Sequence, residues 1–160
     1  MSKISIIMGS SSDLEVVQET INVLKELKVG FEVRVLSAHR TPKELAKHIE
    51  GAPKRGAKVF ICAAGMSAAL AGVVAAHSTL PVVGIPIESK SLNGLDSLLS
   101  TVQMPPGIPV ACMAIGKAGA RNAALFALEI LAIADSKIRA KLIKYKKDMC
   151  NKIKRTKIKI

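Results

Sequence analysis

The chain has 160 residues, of which 49% are hydrophobic but only 2% aromatic, with no Trp, and it carries a net charge of +12. That length suits one domain spanning residues 1–160 with an aliphatic, Ala-rich core. No apolar run reaches the roughly 18 residues of a membrane span, and no basic stretch followed by a hydrophobic segment opens the chain, so a cytoplasmic location is expected.

Ile4 to Met8 is a short apolar run bounded by Gly9 and reads as a buried strand. Gly9 is expected to permit a tight exit from that strand, and Asp13 to cap a helix. In that helix Leu14, Val17, Ile21, Leu24 and Leu27 recur at three- and four-residue spacing, with Gly30 as its stop. Phe31 to Leu36 alternates, as a strand near a sheet edge does. Thr41, Pro42 and Glu44 have the order of a capping box with Pro at the first helical position. Lys58 to Ala64 is the third strand, and Ser67 to His77 is Ala-rich and reads as helix. Val82 to Ile85 is the fourth strand, followed by a polar stretch and a helix over 95–101. Val110 to Ile115 is the fifth strand and Gly119 to Ala132 the next helix. Asp135 starts a last helix with Ile138, Leu142, Tyr145 and Met149 on one face.

Strands alternating with helices predict an α/β fold: a doubly wound parallel sheet of three αβα layers with right-handed crossovers. Five strands suit a flavodoxin-like order of 2-1-3-4-5, which puts ligands at the carboxyl ends of the first and third strands. Residues 1–134 form the α/β core, and residues 135–160 a basic helix and tail. Eleven basic residues against Asp148 alone give 137–160 a net charge of +10, leaving +2 for the rest. Without stacking aromatics or a nucleic-acid motif, that segment reads as a solvated basic helix, and no nucleic-acid or membrane partner is expected.

Two polar loops carry the chemistry. Gly9-Ser10-Ser11-Ser12-Asp13 places hydroxyls and backbone donors at a helix start, where anions are stabilised. Its carboxylate does not suit a phosphate cradle unless it faces another group, such as ribose hydroxyls. Ser37-Ala38-His39-Arg40-Thr41-Pro42 adds an imidazole that titrates near neutral pH. Beside it, Arg40 offers a planar fork suited to phosphate. Together the loops point to a phosphorylated small molecule and acid–base chemistry.

Other candidates read as structural. His48 lies within a helix and His77 at a helix end. Cys62, Cys112 and Cys150 show no CxxC spacing, and the first two sit in strand-like runs as buried thiols. No cluster has zinc-like spacing. Gln103-Met104-Pro105-Pro106-Gly107-Ile108-Pro109 is a rigid apolar connection of the kind found at subunit interfaces. Lys117 and Arg121 fall after the fifth strand, and their facing stays open.

Six ordered segments resemble the N5-carboxyaminoimidazole ribonucleotide mutase family, the class I bacterial PurE enzymes. They are Met8–Asp13 (MGSSSD), Ser37–Pro42 (SAHRTP), Leu80–Ile87 (LPVVGIPI), Leu92–Ser100 (LNGLDSLLS), Gln103–Val110 (QMPPGIPV) and Ala114–Leu125 (AIGKAGARNAAL). They cover most of residues 3–132. The resemblance implies a cofactor-free, metal-free isomerase of purine biosynthesis that moves a carboxylate from the exocyclic nitrogen of an aminoimidazole ribonucleotide to ring carbon C4. It implies His39 as the proton shuttle and Ser10, Ser12, Asp13, Ser37, Arg40 and Gly65 as substrate-binding residues. Arg40 and the serine loop then face phosphate and Asp13 faces ribose. It also implies a homo-octamer, with the Pro-rich loop as an interface element.

One departure from the family pattern stands in the third loop, Ala64 to Gly72. Ala69 replaces a histidine and Ala71 a proline, so the second imidazole of many members is absent. Two alternatives remain: direct carboxylation of aminoimidazole ribonucleotide by CO2, and a non-catalytic nucleotide- or RNA-binding module.

Overall fold

All five residues of β1 (Ile4–Met8) are buried, as expected of a strand covered on both faces. A computed structural model describes residues 3–158. After β1 follow α1 (Leu14–Glu26), β2 (Phe31–Val35), α2 (Pro42–Gly51), β3 (Val59–Gly65) and α3 (Leu70–Ala76). Then come β4 (Val82–Ile87), α4 (Leu95–Val102), β5 (Ala111–Cys112), α5 (Gly116–Ala132) and α6 (Ser136–Lys154). The strands form one parallel sheet in the order β2-β1-β3-β4-β5, as the alternation predicts. Gly9 and Ser37 therefore leave neighbouring strands at the same end of the sheet.

One face of the sheet packs Ile4, Ile6, Ile61, Val83 and Ile85 against α1, α5 and α6. Ala120, Ala123, Ala124 and Ala127 are fully buried there, so α5 lies close to its neighbours. Ile138 and Leu142 carry α6 into the same cluster, which makes it part of this helix layer. The other face packs Ile7, Phe60 and Cys62 against Leu45 and Ile49 of α2 and Leu70 and Val74 of α3. Phe60 is the largest fully buried side chain, so the aromatic-poor composition yields a core of many small contacts.

Several local expectations are corrected. The helix start near Asp13 is capped by Ser10, because Ser11–Asp13 forms a 3₁₀ turn ahead of α1. Gly9 has no left-handed backbone, and a Cβ there would meet only ordinary contacts at 3.8 Å. Gly30 is not the stop of α1 either. Lys28 takes the left-handed conformation (φ 51°) instead, and Val29 donates to the Leu24 carbonyl at 3.0 Å, forming a Schellman end. Leu14, expected on the buried stripe, is 45% exposed.

Thr41 precedes α2, but its hydroxyl does not cap the helix. That hydroxyl instead accepts from the Ser37 amide at 2.8 Å and donates to the Ser37 carbonyl at 3.1 Å, closing the loop on itself. The third helix begins at Leu70, three residues later than its composition suggests, because Met66 takes a left-handed turn (φ 57°). The fifth strand is only two residues long at the sheet edge. The following helix begins at Gly116, where a φ of 74° favours glycine. No described helix is long and apolar enough to cross a membrane.

Candidate active site

The carboxyl ends of β1, β2, β3 and β4 enclose a cleft of about 560 Å³. Its walls include Ser10, Ser12, Asp13, Ser37, His39, Arg40 and Gly65, so all seven candidate residues meet in one place. They meet because the parallel sheet brings every strand-to-helix loop of β1, β2 and β3 to one edge.

The β1 loop is organised by its own polar groups. The Ser10 amide donates to Asp13 Oδ2 at 3.1 Å, and the Ser12 amide donates to Ser10 Oγ at 3.3 Å. Together these form a capping box. Ser12 Oγ lies 2.8 Å from Ser10 Oγ and 3.3 Å from Asp13 Oδ1, so three side chains share one hydrogen-bond chain. Asp13 is only 7% exposed. Burial pushes its carboxyl above the usual range, and the Ser10 amide, the Ser12 hydroxyl and the Arg40 charge offset this only in part. Such a carboxylate favours partners that bring hydrogen-bond donors into the cleft.

The β2 loop supplies the cation and the imidazole. Arg40 donates through a terminal guanidinium nitrogen to the Gly9 carbonyl at 2.7 Å and through Nε to Ser37 Oγ at 3.4 Å. The Arg40 amide also donates to Ser37 Oγ at 3.2 Å. The guanidinium is thus aimed by the backbone of one loop and a hydroxyl of its own. His39 is exposed on the cleft wall. There it can reach a bound molecule without leaving the loop that Thr41 closes.

Met66, Ser67 and Leu70 of the third loop line the wall after β3, and sequence reasoning missed only Glu88 and Ser89, which follow β4. The available signal was position: each falls just after a strand that neighbours the switch point. Ser89 Oγ donates to both Asp96 carboxylate oxygens, at 3.3 and 3.1 Å, which fixes the turn before α4. Ala69 lines the cleft, so the missing second imidazole leaves a small methyl there. Gly65 sits against β4, where a Cβ would meet the Ile87 carbonyl oxygen at 3.3 Å. Met66 follows it in a left-handed conformation that costs a non-glycine residue energy, a feature common at ligand sites.

The remaining candidates fall outside the cleft. Lys117 pairs with Glu15 at 2.7 Å, and Arg121 contacts the Tyr145 hydroxyl at 3.1 Å. His77 Nδ1 lies 2.9 Å from the Val73 carbonyl at the end of α3. His48 is enclosed between Ser5 and Arg55. Cys62 is buried and its thiol pushed well up by burial, while Cys112 is only half-buried and Cys150 exposed. Among the described residues no group of three or more His, Cys, Asp or Glu could hold a metal ion.

Residues 3–152 match the AIR carboxylase family model. The chain is 56% identical to the N5-carboxyaminoimidazole ribonucleotide mutase of Pyrococcus abyssi over 149 residues, covering 93% of this chain and 84% of that one. It is 49% identical to the enzyme of the same name from Saccharolobus solfataricus over 158 residues, 99% of each chain. The crystal structure of Treponema denticola PurE superposes with a TM-score of 0.84 at 30% identity, covering 94% of this chain and 92% of that one. Family model, relatives and fold agree with a cleft built at the switch point, and the chain belongs to the AIR carboxylase family.

Proposed function

We propose that the protein is an N5-carboxyaminoimidazole ribonucleotide mutase acting in purine biosynthesis. Its substrate would place phosphate against Arg40 and the Ser10–Ser12 hydroxyls and ribose against Asp13, with Ser37 and Gly65 completing the cradle. Breaking the carbamate C–N bond releases CO2, and the exocyclic nitrogen gains a proton. C4 then attacks the trapped CO2 and must lose its own proton. One group that gives the first proton and takes the second balances the reaction, and His39 has both the position and the chemistry. With alanine at position 69, His39 is the one imidazole on the cleft wall among the described residues.

The observation that carries this reading is the convergence of the serine loop, Asp13, His39 and Arg40 on one crevice at the switch point. The serine loop and Arg40 supply anion contacts, and Asp13 is a carboxylate suited to hydroxyl donors. The relatives named above as mutases are about half identical over nearly the whole chain, which favours this reaction over direct carboxylation. A homo-octamer and a cytoplasmic location belong to the same proposal, as does a single catalytic domain of residues 1–160, with an α/β core over 1–134 and a basic helix and tail over 135–160. The exposed apolar residues Leu92, Leu95, Leu99 and Val102, next to the Pro-rich loop, support an assembled state.

The test is an assay that offers either the N5-carboxylated substrate or aminoimidazole ribonucleotide with bicarbonate. Turnover of the first supports the mutase. Turnover only of the second would transfer the chain to direct carboxylation, and turnover of neither would favour a binding module.

A further inference from the structure

A second cleft, of about 610 Å³, lies on the outer side of the helix layer between the end of α1 and the middle of α6. It shares no lining residue with the first. Lys28, Arg121, Lys141, Lys144 and Lys152 line it, against Glu26 and Asp148. Two of the cations have structural duties. Lys141 Nζ donates to the Leu27 carbonyl at 2.7 Å, and Arg121 donates to the Tyr145 hydroxyl at 3.1 Å. Lys28, Lys144 and Lys152 have no ion-pair partner among the described residues.

We propose that this cleft binds a nucleoside polyphosphate. Three uncommitted ammonium groups around one concavity fit a compact polyanion, and the volume falls within the roughly 300–1,000 Å³ of small-molecule sites. Tyr145, the chain's one tyrosine, is half-buried in the wall with Leu27 and Met149. That gives a base an aromatic and thioether surface beside the phosphate cations. The Tyr145 oxygen accepts from Arg121, and its own proton can be donated to the ligand.

The backbone supplies a second sign. Lys28 holds a left-handed φ of 51°, although a glycine would hold it without strain. The chain thus keeps a strained lysine in the lining of the cleft. RNA is the less fitting ligand, because a strand needs several stacking aromatics along a continuous groove, and here there is one.

The test is calorimetric titration of the intact protein with ATP, with tripolyphosphate, and with a single-stranded RNA of about twelve residues. One ATP per chain is expected, with tripolyphosphate several-fold weaker because it leaves the Tyr145–Met149 wall unused. The double variant K144E/K152E should weaken ATP at least about tenfold, the scale of losing charge-assisted contacts, with melting unchanged. Lys28→Gly should raise the melting temperature while weakening ATP. Arg40→Ala should leave ATP binding intact, since that residue belongs to the other cleft. ATP binding untouched by K144E/K152E, or lost in Arg40→Ala, would overturn the assignment. So would RNA binding more than about tenfold tighter than ATP, which would make this a nucleic-acid surface.

Discussion

Arg40 and Gly9, thirty-one residues apart, are joined by a 2.7 Å hydrogen bond from the guanidinium to the carbonyl, across the ends of β1 and β2. The β1–β2 ladder ends with the Leu36 amide on the Met8 carbonyl at 2.9 Å, and beyond it this bond ties the serine cradle to the loop that carries the imidazole. It occupies one edge of the guanidinium fork. Nε is turned to Ser37 Oγ at 3.4 Å, and the remaining N–H groups of the two terminal nitrogens stay available to an anion in the cleft.

Arg40→Lys tests that dual use. A lysine presents one point charge and lacks the planar fork that can meet the Gly9 carbonyl and still offer phosphate a bidentate pair. KM for the ribonucleotide should rise by about 10–100-fold, since a charge-assisted hydrogen bond is worth about 1.5–3 kcal/mol. Steady-state kinetics reads the effect, and an unchanged KM would remove Arg40 from substrate binding.

His39→Asn should lower kcat by at least about 10²-fold, the usual scale of positioned acid–base catalysis. The loss should appear in kcat more than in KM, because the asparagine still fills the cleft wall. A loss below tenfold would mean that another group carries the proton.

Asp13→Asn separates function from stability. The folded pKa of Asp13 is raised above its ordinary value, so the folded state binds the proton more tightly than the unfolded chain. Its contribution to stability is full below the unfolded pKa of 3.8 and is lost as pH rises through the folded value. At neutral pH the ionised carboxylate is therefore a cost. The amide variant should melt no lower than the parent at pH 7 while losing substrate affinity. A clearly lower melting temperature at pH 7 would contradict this.

His48 gives the opposite sign. Arg55 can only donate, so the His48 Nδ1 that it meets at 2.9 Å must accept, and the ring is neutral with its proton on Nε2. That proton faces Ser5 Oγ at 2.9 Å, on a fully buried residue. Burial depresses the His48 pKa, Arg55 and Arg34 add to it, and Glu32 opposes. Stability from this group is present above the unfolded value of 6.5 and is lost as pH falls through the folded value. One proton limits the slope to about 1.4 kcal/mol per pH unit. Denaturant midpoints from pH 7.5 to 5 should fall less steeply in His48→Gln than in the parent, and parallel curves would exclude His48 as the sensor.

Gly119→Ala sets two magnitudes against each other. Alanine gains about 1 kcal/mol in helix propensity. A Cβ at that site would run into the Ala114 carbonyl, which is backbone and cannot swing away. Overpacking of this kind costs about 1–3 kcal/mol, so a net loss of up to about 2 kcal/mol is expected by chemical denaturation. A stabilised variant would show that Ala114 yields.

Periodicity revealed the alternating strands and helices and the two polar loops between them, because buried parallel strands and amphipathic helices leave a one-dimensional trace. Caps were less legible. Ser10 rather than Asp13, and Lys28 rather than Gly30, end up in the cap positions, since several polar residues compete for each role and packing selects among them. The short fifth strand and the late start of α3 have the same origin: an edge position and the left-handed Met66 override local propensity.

By itself the sequence determined the layered α/β class, the pair of polar loops and the absence of a histidine at position 69. Only the tertiary structure decided that Glu88 and Ser89 share the cleft, that Arg40 locks onto Gly9, and that Lys117 and Arg121 face elsewhere. Those relations depend on which strands lie side by side and how closely they approach. The trace of a buried face is written residue by residue along the chain, whereas a contact across the crevice is a distance between segments that no local pattern encodes.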